Sequence, residues 1–437
     1  MKKLENEAKR VLLKNWKDGF SVPCANLYPF QWKWDSGFIA IGFAHFDMDK
    51  AEKEIATLLA AQWDNGFIPH IVFHTESDTY FPGPDFHQSE LHPQSSKTYK
   101  STGMTQPPVT GFVLEEMYNI STNKTATLAY INSMIDKVYH NHTYFYENRD
   151  PNNEGLVYIY HNWESGTDNS PIWDDIFATM NPPHYEFKRR DTTHVDASER
   201  PTNREYDHYL HIINIAKEHN YSDEKIAELS PFLVQDPLFN TMLIKSNEAL
   251  INLYKLIGGN VDKIAQLTQW NTKAVHSMNT KLYDKDLKVY VHYDLRNEKP
   301  IPFITSSSFS PIFANIATTP EQVKGLVDVM LDKFGGEDMY LCASFDPTNE
   351  LFNPKKYWRG PVWVNLNWML YRGLRKYGYN EVADRVKNDT LEIVEKSGFY
   401  EYFDARKSVH LTDKAGYGGG DFSWTAALLI DLLQNKI

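Results

Sequence analysis

The chain has 437 residues, 42 % of them hydrophobic, and a formal net charge of −12, an ordinary composition for a folded globular protein. No run of Lys and Arg supplies the basic patch that nucleic acid or an anionic membrane surface requires, so neither partner is expected. The densest cationic cluster, residues 188–190, can hold one anionic group at most. Two cysteines, Cys24 and Cys342, cannot form a disulfide scaffold and predict a reducing compartment.

The N-terminal segment 1–20 is predicted to form a charged amphipathic helix that carries Leu12, Leu13 and Trp16. It lacks the uninterrupted apolar stretch of a signal peptide. The sequence also has no run of about 18 apolar residues, so no transmembrane helix is expected. We therefore expect a cytoplasmic protein.

Apolar residues recur with the helical period through much of the chain. One helix is predicted around 55–59, one ends at the stop signal Gly258-Gly259, and one follows Pro320. Further helices are predicted at 362–376, 381–396 and 423–434. Strand-like alternation is confined to short pieces at 155–160 and 287–292.

Long segments rich in Trp, Tyr, Pro, Gly and Asp lie between the helices, at 21–37, 64–110, 161–207, 283–311, 341–363 and 397–423. Loops of that length are uncommon in compact domains unless they are functional. No linker or low-complexity tract marks a domain boundary. The pattern predicts an all-α helical toroid with its site at one rim. We expect a single domain over 1–437, with a loop-rich excursion at about 140–206.

The first candidate motif, at 28–36, places Tyr28, Trp32 and Trp34 around the carboxylate of Asp35. A pyranose has an apolar C–H face, which stacks on aromatic rings, and a polar edge, which a carboxylate binds through hydroxyl groups. The motif therefore favours a sugar site. The alternative is that the rings belong to the core and that Asp35 caps the following helix.

The second motif, at 163–175, brings four carboxylates close to Trp163 and Trp173. A carboxyl group against a poorly hydrated aromatic wall has a raised pKa, as a general acid requires. Spacing alone also allows an ordinary turn before a helix. It does not choose among the candidate acids, which are Glu164, Asp168, Asp174 and Asp175.

The third motif, at 398–404, flanks Glu401 with aromatic residues. Alternation in an extended segment would place Phe399, Glu401 and Phe403 on one face. Burial of a carboxylate on an aromatic face is costly, so such an acid is more often functional than structural.

Two weaker motifs are Arg359, among the rings of 357–363, and Gln106, in the rigid loop before Pro107-Pro108. In each the structural interpretation is favoured. The pair His70 and His74 has helical spacing but lacks the adjacent Glu of a zinc protease. No metal site or cofactor is expected.

Taken together, these motifs resemble glycoside hydrolase family 63, especially its branch of glucosylglycerate and mannosylglycerate hydrolases. The similarity covers nearly the whole chain in order. The matching stretches are YPFQWKWDSGF at 28–38, DNGFIPHIVFH at 64–74, TQPPV at 105–109, NWESGTDNSPIWD at 162–174, RPTNREYDHYL at 200–210, YWRGPVWVNLNW at 357–368, GFYEYFD at 398–404 and FSWTAAL at 422–428.

The resemblance implies an (α/α)6 barrel and hydrolysis of an α-glycoside with inversion at the anomeric carbon. Asp168 would be the general acid and Glu401 the general base, an inverting pair separated by roughly 6.5–9.5 Å to admit a water. The implied sugar pocket comprises Tyr28, Trp32, Trp34, Asp35, Gln106, Trp163 and Trp363. The implied glycerate contacts are Tyr80, Arg200, Tyr357 and Trp358, with Arg359 as a further candidate for substrate binding.

The resemblance also implies a glutamine in the loop after the base, where it would help to hold glycerate. Residues 414–418 contain none, so short α-gluco-oligosaccharides stay open as substrates. Two other classes of function also stay open. One is a sugar epimerase, isomerase or lyase that uses His70, His74, His161 or His194. The other is a carbohydrate-binding protein without catalysis.

Overall fold

The computed structural model describes residues 1–193, 195–413 and 415–434. Within these ranges the chain is mostly helical, and no helix is both long and apolar enough to cross a membrane. The fold contains a 3-10 helix of nine residues, Ser306–Ala314, together with the α-helices. These are α1 (Lys2–Asn15), α2 (Lys33–Ala44), α3 (Met48–Ala60), α4 (Pro84–His87), α5 (Thr110–Ile120), α6 (Lys124–Asn148), α7 (Asp174–Ala178), α8 (Asn203–Glu218), α9 (Asp223–Leu229), α10 (Pro237–Ile257), α11 (Val261–Ser277), α12 (Pro320–Phe334), α13 (Val364–Lys376), α14 (Asn380–Ser397) and α15 (Ser423–Gln434).

The strands are short and pair antiparallel in small sheets. They are β1 (Trp16–Lys17), β2 (Phe20–Ser21), β3 (Gln31–Trp32), β4 (Ile71–Phe73), β5 (Lys100–Ser101), β6 (Tyr158–Ile159), β7 (Val234–Gln235), β8 (Tyr283–Asp284), β9 (Val289–Tyr290), β10 (His292–Asp294), β11 (Lys299–Ile301), β12 (Tyr400–Phe403) and β13 (Gly416–Gly420). The sheets run β1-β2, β3-β4-β5, β11-β10-β7-β6, β8-β9 and β12-β13. The strands predicted near 155–160 and 287–292 are therefore present, as β6, β9 and the start of β10.

Six helical segments contact one another in a closed cycle: α15, α2, α5, α10, the helix Ser306–Ala314, α13 and again α15. Every residue of α2 and of Ser306–Ala314 is buried. A helix that is buried on all sides belongs to the interior of a protein. The cycle is therefore an inner layer.

Each inner segment carries a partner on its outer side. The partners pack as α1 on α15, α3 on α2, α6 on α5, α11 on α10, α12 on Ser306–Ala314 and α14 on α13. The outer helices bury a single face, as α14 does with Ala383, Val386 and Ile393. Two concentric helical layers result.

Capping interactions explain why the helices predicted near 258 and 320 form where expected. Asp236 accepts hydrogen bonds from the first amides of α10, and Gly258 ends that helix with a φ of 73°. Thr319 forms a capping box with Gln322 at the start of α12, directly before Pro320.

Other boundaries differ from the prediction. Helix α6 fills 124–148, so the loop-rich segment expected from about 140 begins at Arg149 instead. Its Tyr144, Phe145 and Tyr146 are buried, and this tertiary burial outweighs a weak helical pattern. The loop expected over 21–37 ends at Trp32, because α2 begins at Lys33.

Gly42 lies where the inner helices α2 and α15 approach closely, and it supplies a test of the packing. A Cβ atom there would lie 2.5 Å from the backbone Cα of Ala427 on α15. We expect Gly42→Ala to lower the free energy of unfolding by about 1–3 kcal/mol, because α2 and α15 must separate. The control is Gly83→Ala, whose added methyl group meets nothing within 4 Å. Thermal denaturation of both variants checks this, and equal melting temperatures would contradict the packing described.

Candidate active site

A cavity lies at the N-terminal ends of the inner helices α2, α5, α13 and α15. Twelve of the fourteen predicted site residues line it: Tyr28, Trp32, Trp34, Asp35, Tyr80, Gln106, Trp163, Asp168, Arg200, Tyr357, Trp358 and Glu401. The fold therefore brings together most of the residues that the motifs singled out, from one end of the chain to the other.

Two predicted residues do not line the cavity. Arg359 pairs both terminal nitrogens with Asp174, at 2.9 and 2.6 Å, and donates to the carbonyl oxygen of Asn169 at 3.3 Å. It therefore braces the loop that carries Asp168. Trp363 stacks against Trp358 with the ring centres 3.6 Å apart. It supports the cavity wall from behind.

Sequence reasoning did not single out several other lining residues. Some lie within stretches that carried the family resemblance, such as Tyr206, Phe422 and Trp424, so the motifs indicated their region without their role. Asp191 had no signal at all, because its importance depends on contacts with two arginines. The remaining residues of this set are Pro23, Leu27, Phe81, Gly166 and Pro201. His70, which the sequence suggested for a different chemistry, also lines the cavity.

Of the four acids in the second motif, Asp168 lines the cavity and the others do not. Glu164 is buried and accepts the amides of Thr105 at 3.0 Å and Tyr160 at 2.9 Å, besides an ion pair with Arg149. Asp174 is paired as described above, and Asp175 is exposed on α7. The geometry thus separates acids that spacing could not.

Asp168 is partly buried in a loop between the short 3-10 helices Asn162–Ser165 and Pro171–Trp173. Burial raises its pKa to about 7, although the Arg200 guanidinium and the Tyr357 hydroxyl oppose this rise. Tyr357 donates to Oδ2 of Asp168 over 3.2 Å. Its backbone has a φ of 40°, which a non-glycine residue rarely adopts. A carboxyl group with this pKa can hold a proton near neutral pH and donate it.

Glu401 lies on β12 and is only 2 % exposed. The Tyr28 hydroxyl donates to Oε1 over 2.8 Å, and the Gly419 amide donates to Oε2 over 3.0 Å. Burial raises the pKa of Glu401, and the nearby charge of Arg200 opposes this rise. A Cβ atom on Gly418 would lie 2.3 Å from Oε2, so the Glu401 carboxylate requires a glycine on the adjacent strand β13.

Asp35 is a third carboxyl group in the cavity. It lies in the first turn of α2, whereas the N-cap position belongs to Trp32, so the capping role considered for Asp35 is wrong. Burial and then the charge of Glu401 raise the pKa of Asp35 well above its ordinary value. Beside it, the ring of Trp34 contacts Trp424 edge to face at 5.3 Å. Such a wall suits the apolar face of a sugar.

The histidines considered for other chemistries have structural partners. His70 lines the cavity, but its Nδ1 is 2.6 Å from the Thr102 hydroxyl, and burial keeps its pKa well below the ordinary range. His74 contacts Gln31, and His161 is buried against the Tyr209 carbonyl. His194 and Lys414 lie outside the described residues. Among those described, no group of His, Cys, Asp or Glu is arranged to hold a metal ion.

The sequence of this chain is similar to those of known glycoside hydrolases over most of its length. Residues 28–425 of this chain match the sequence model of a protein family, the mannosylglycerate hydrolase MGH1-like glycoside hydrolase domain. A mannosylglycerate hydrolase from Thermus thermophilus is 38 % identical over 429 residues, covering 97 % of this chain and 99 % of the relative. A glucosylglycerate hydrolase from Mycolicibacterium hassiacum is 30 % identical over 419 residues, covering 93 % and 92 %.

Among solved structures, the chain is similar to a GH63 mannosylglycerate hydrolase from Thermus thermophilus in complex with Tris and D-glycerate. The two share 36 % sequence identity and a TM-score of 0.90, over 99 % of this chain and 100 % of the other.

The raised pKa of Asp168 has a consequence for stability. Between its ordinary value of 3.8 and about 7, the folded protein keeps a proton that the unfolded chain has lost. The contribution of Asp168 to the free energy of unfolding is therefore greatest below about pH 4 and is lost as the pH rises through 7. We expect Asp168→Asn to gain stability over the wild type as the pH rises from 4.5 to 8.

Thermal denaturation at the two pH values measures this difference. Asp175→Asn, at an exposed position on α7, controls for the substitution itself. A difference in melting temperature between Asp168→Asn and wild type that is the same at both pH values would argue against a protonated Asp168.

Proposed function

Since the chain belongs to glycoside hydrolase family 63 and is therefore a glycoside hydrolase, we propose that it hydrolyses α-mannosides or α-glucosides of glycerate with inversion at the anomeric carbon. The observation that carries the proposal is the pair Asp168 and Glu401, which line one cavity in different surroundings. Inverting glycosidases need two such carboxyl groups, one protonated and one ionised.

In the proposed mechanism Asp168 donates its proton to the glycosidic oxygen while the bond from that oxygen to the anomeric carbon breaks. A water on the opposite face of the sugar attacks the anomeric carbon and gives a proton to Glu401. The products are the free sugar and the aglycone. Each turnover leaves Asp168 ionised and Glu401 protonated, so a proton must return to Asp168 before the next.

The substrate class rests on the relatives and on Arg200. Among the described residues that line the cavity, Arg200 is the one arginine or lysine, and it is 5 % exposed. A guanidinium pairs well with a carboxylate such as that of glycerate. Because residues 415–418 carry no amide side chain, short α-gluco-oligosaccharides are the alternative substrates.

For the architecture we propose an (α/α)6 barrel that forms one domain over 1–437. The closed cycle of six inner segments, each with an outer partner, supports this count. Cys24 and Cys342 are free and buried, which supports a cytoplasmic location. The proposed hydrolysis needs no cofactor.

Removal of either carboxyl group tests the two roles. We expect Asp168→Asn and Glu401→Gln each to lower kcat by about 10²–10⁴-fold, because general acid and base catalysis are lost. Asp175→Asn, outside the cavity, is the matched control and should keep its activity. Circular dichroism establishes that each variant is folded. Near-normal activity in either cavity variant would refute the assignment.

The pH profile and the product test the mechanism. The ratio kcat/KM should fall above about pH 7 as Asp168 ionises, and this alkaline limb should disappear in Asp168→Asn.

Proton NMR of mannosylglycerate, glucosylglycerate, kojibiose and maltose digests should detect the β-anomer first. Initial release of the α-anomer would contradict inversion, and turnover without a free aglycone would indicate an epimerase or isomerase.

A further inference from the structure

The hydroxyl of Tyr28 lies between the proposed base and a guanidinium. It is 2.8 Å from Oε1 of Glu401 and 2.9 Å from Nη2 of Arg200. A guanidinium can only donate, so the Tyr28 oxygen accepts from Arg200. The single hydroxyl proton of Tyr28 is therefore directed to Glu401.

Arg200 is itself held in place. Its Nε donates to Oδ2 of Asp191 over 3.3 Å, and its guanidinium lies 4.1 Å from the ring centre of Tyr357. Asp191 also pairs with Arg189, whose Nε donates to Oδ1 over 2.7 Å. In the cationic cluster 188–190, Arg189 thus binds an internal carboxylate, and that carboxylate orients Arg200.

The second oxygen of Glu401 is held separately. Oε2 accepts the Gly419 amide at 3.0 Å and lies 3.7 Å from Nη1 of Arg200, too far for a hydrogen bond but close enough for ionic attraction. Tyr28 and Gly419 therefore donate to different oxygens, and the Tyr357 hydroxyl also lowers the pKa of Glu401. A carboxylate has about four acceptor sites, so capacity is left for a water.

We propose that Tyr28 is a positioning residue for the base: its hydroxyl, oriented by the chain from Asp191 to Arg200, holds the Glu401 carboxylate ionised and fixed toward the attacking water. The inference rests on the proposed function of Glu401. The ring of Tyr28 belongs to the proposed sugar pocket, and the inference gives the hydroxyl a separate role.

Tyr28→Phe isolates that role, because the ring and its edge-to-face contact with Trp32 at 5.2 Å are kept. A hydrogen bond to a carboxylate favours the ionised form, so its loss should raise the pKa of Glu401. We expect the acidic limb of kcat/KM to move about one pH unit upward. The turnover number should fall about 10- to 100-fold, with KM on mannosylglycerate changed by less than about twofold and the alkaline limb unmoved.

Tyr357→Phe serves as the comparison, because its hydroxyl donates to Asp168 over 3.2 Å. Since the Tyr357 hydroxyl lowers the pKa of both Asp168 and Glu401, that variant should move both limbs to higher pH, whereas Tyr28→Phe should move only the acidic limb. Tyr254→Phe is the control, since its buried ring lies outside the cavity and its hydroxyl donates to Asp136. It should move neither limb.

Replacement of Tyr28 by 3-fluorotyrosine keeps the hydroxyl and makes it a stronger donor, so the acidic limb should move to lower pH. This variant keeps the test decisive even if Tyr28→Phe fails to fold. If KM alone rises and the acidic limb stays at its wild-type position, Tyr28 is only a sugar contact and the inference is wrong. An active Glu401→Gln variant would instead refute the proposed function.

Discussion

Burial of the Asp168 and Glu401 carboxyl groups in one aromatic cavity is the constraint on which the rest of this structure depends. A carboxylate without donors is unstable in such surroundings, so each group must be either protonated or hydrogen-bonded. Asp168 takes the first course, with a pKa of about 7. Glu401 takes the second, with donors from Tyr28 and Gly419. The proposed acid and the proposed base therefore have different surroundings, as opposite roles in proton transfer require.

The scaffold around the cavity is built to keep these surroundings fixed. Arg149 and Glu164 form an ion pair that is almost fully buried, and Glu164 also accepts two backbone amides. A buried pair of this kind adds little net stability but defines geometry when its hydrogen bonds are complete. Lys33, also buried, donates to the Thr105 hydroxyl and to the Gln106 carbonyl. Gln106 in turn accepts the Trp34 amide, which joins the loop before α5 to the start of α2.

The sequence predicted the parts of this arrangement that local chemistry determines. Helix α12 could be read from its Pro and from periodicity, and the aromatic motifs around Asp35 and Glu401 indicated the cavity. Helix α6 was missed because its aromatic residues gain their energy from burial between other helices. Asp191 and the true role of Arg359 could not be found, since their partners are distant in sequence or unremarkable in composition. Spacing also left Asp168 among four acids, and only the family resemblance chose it.

The direction of the Tyr28 proton follows from charge rather than from contact alone. A tyrosine beside a carboxylate can donate or turn away, but one that already accepts from a guanidinium has a single orientation left. Asp191 supports this orientation by accepting a hydrogen bond from Nε of Arg200. A substrate carboxylate that approached Arg200 would therefore compete with Asp191 and Glu401 for the same cation. Under the proposed function, recognition of an anionic aglycone and the state of the proposed base would be coupled through Arg200, and a neutral aglycone would leave that coupling undisturbed.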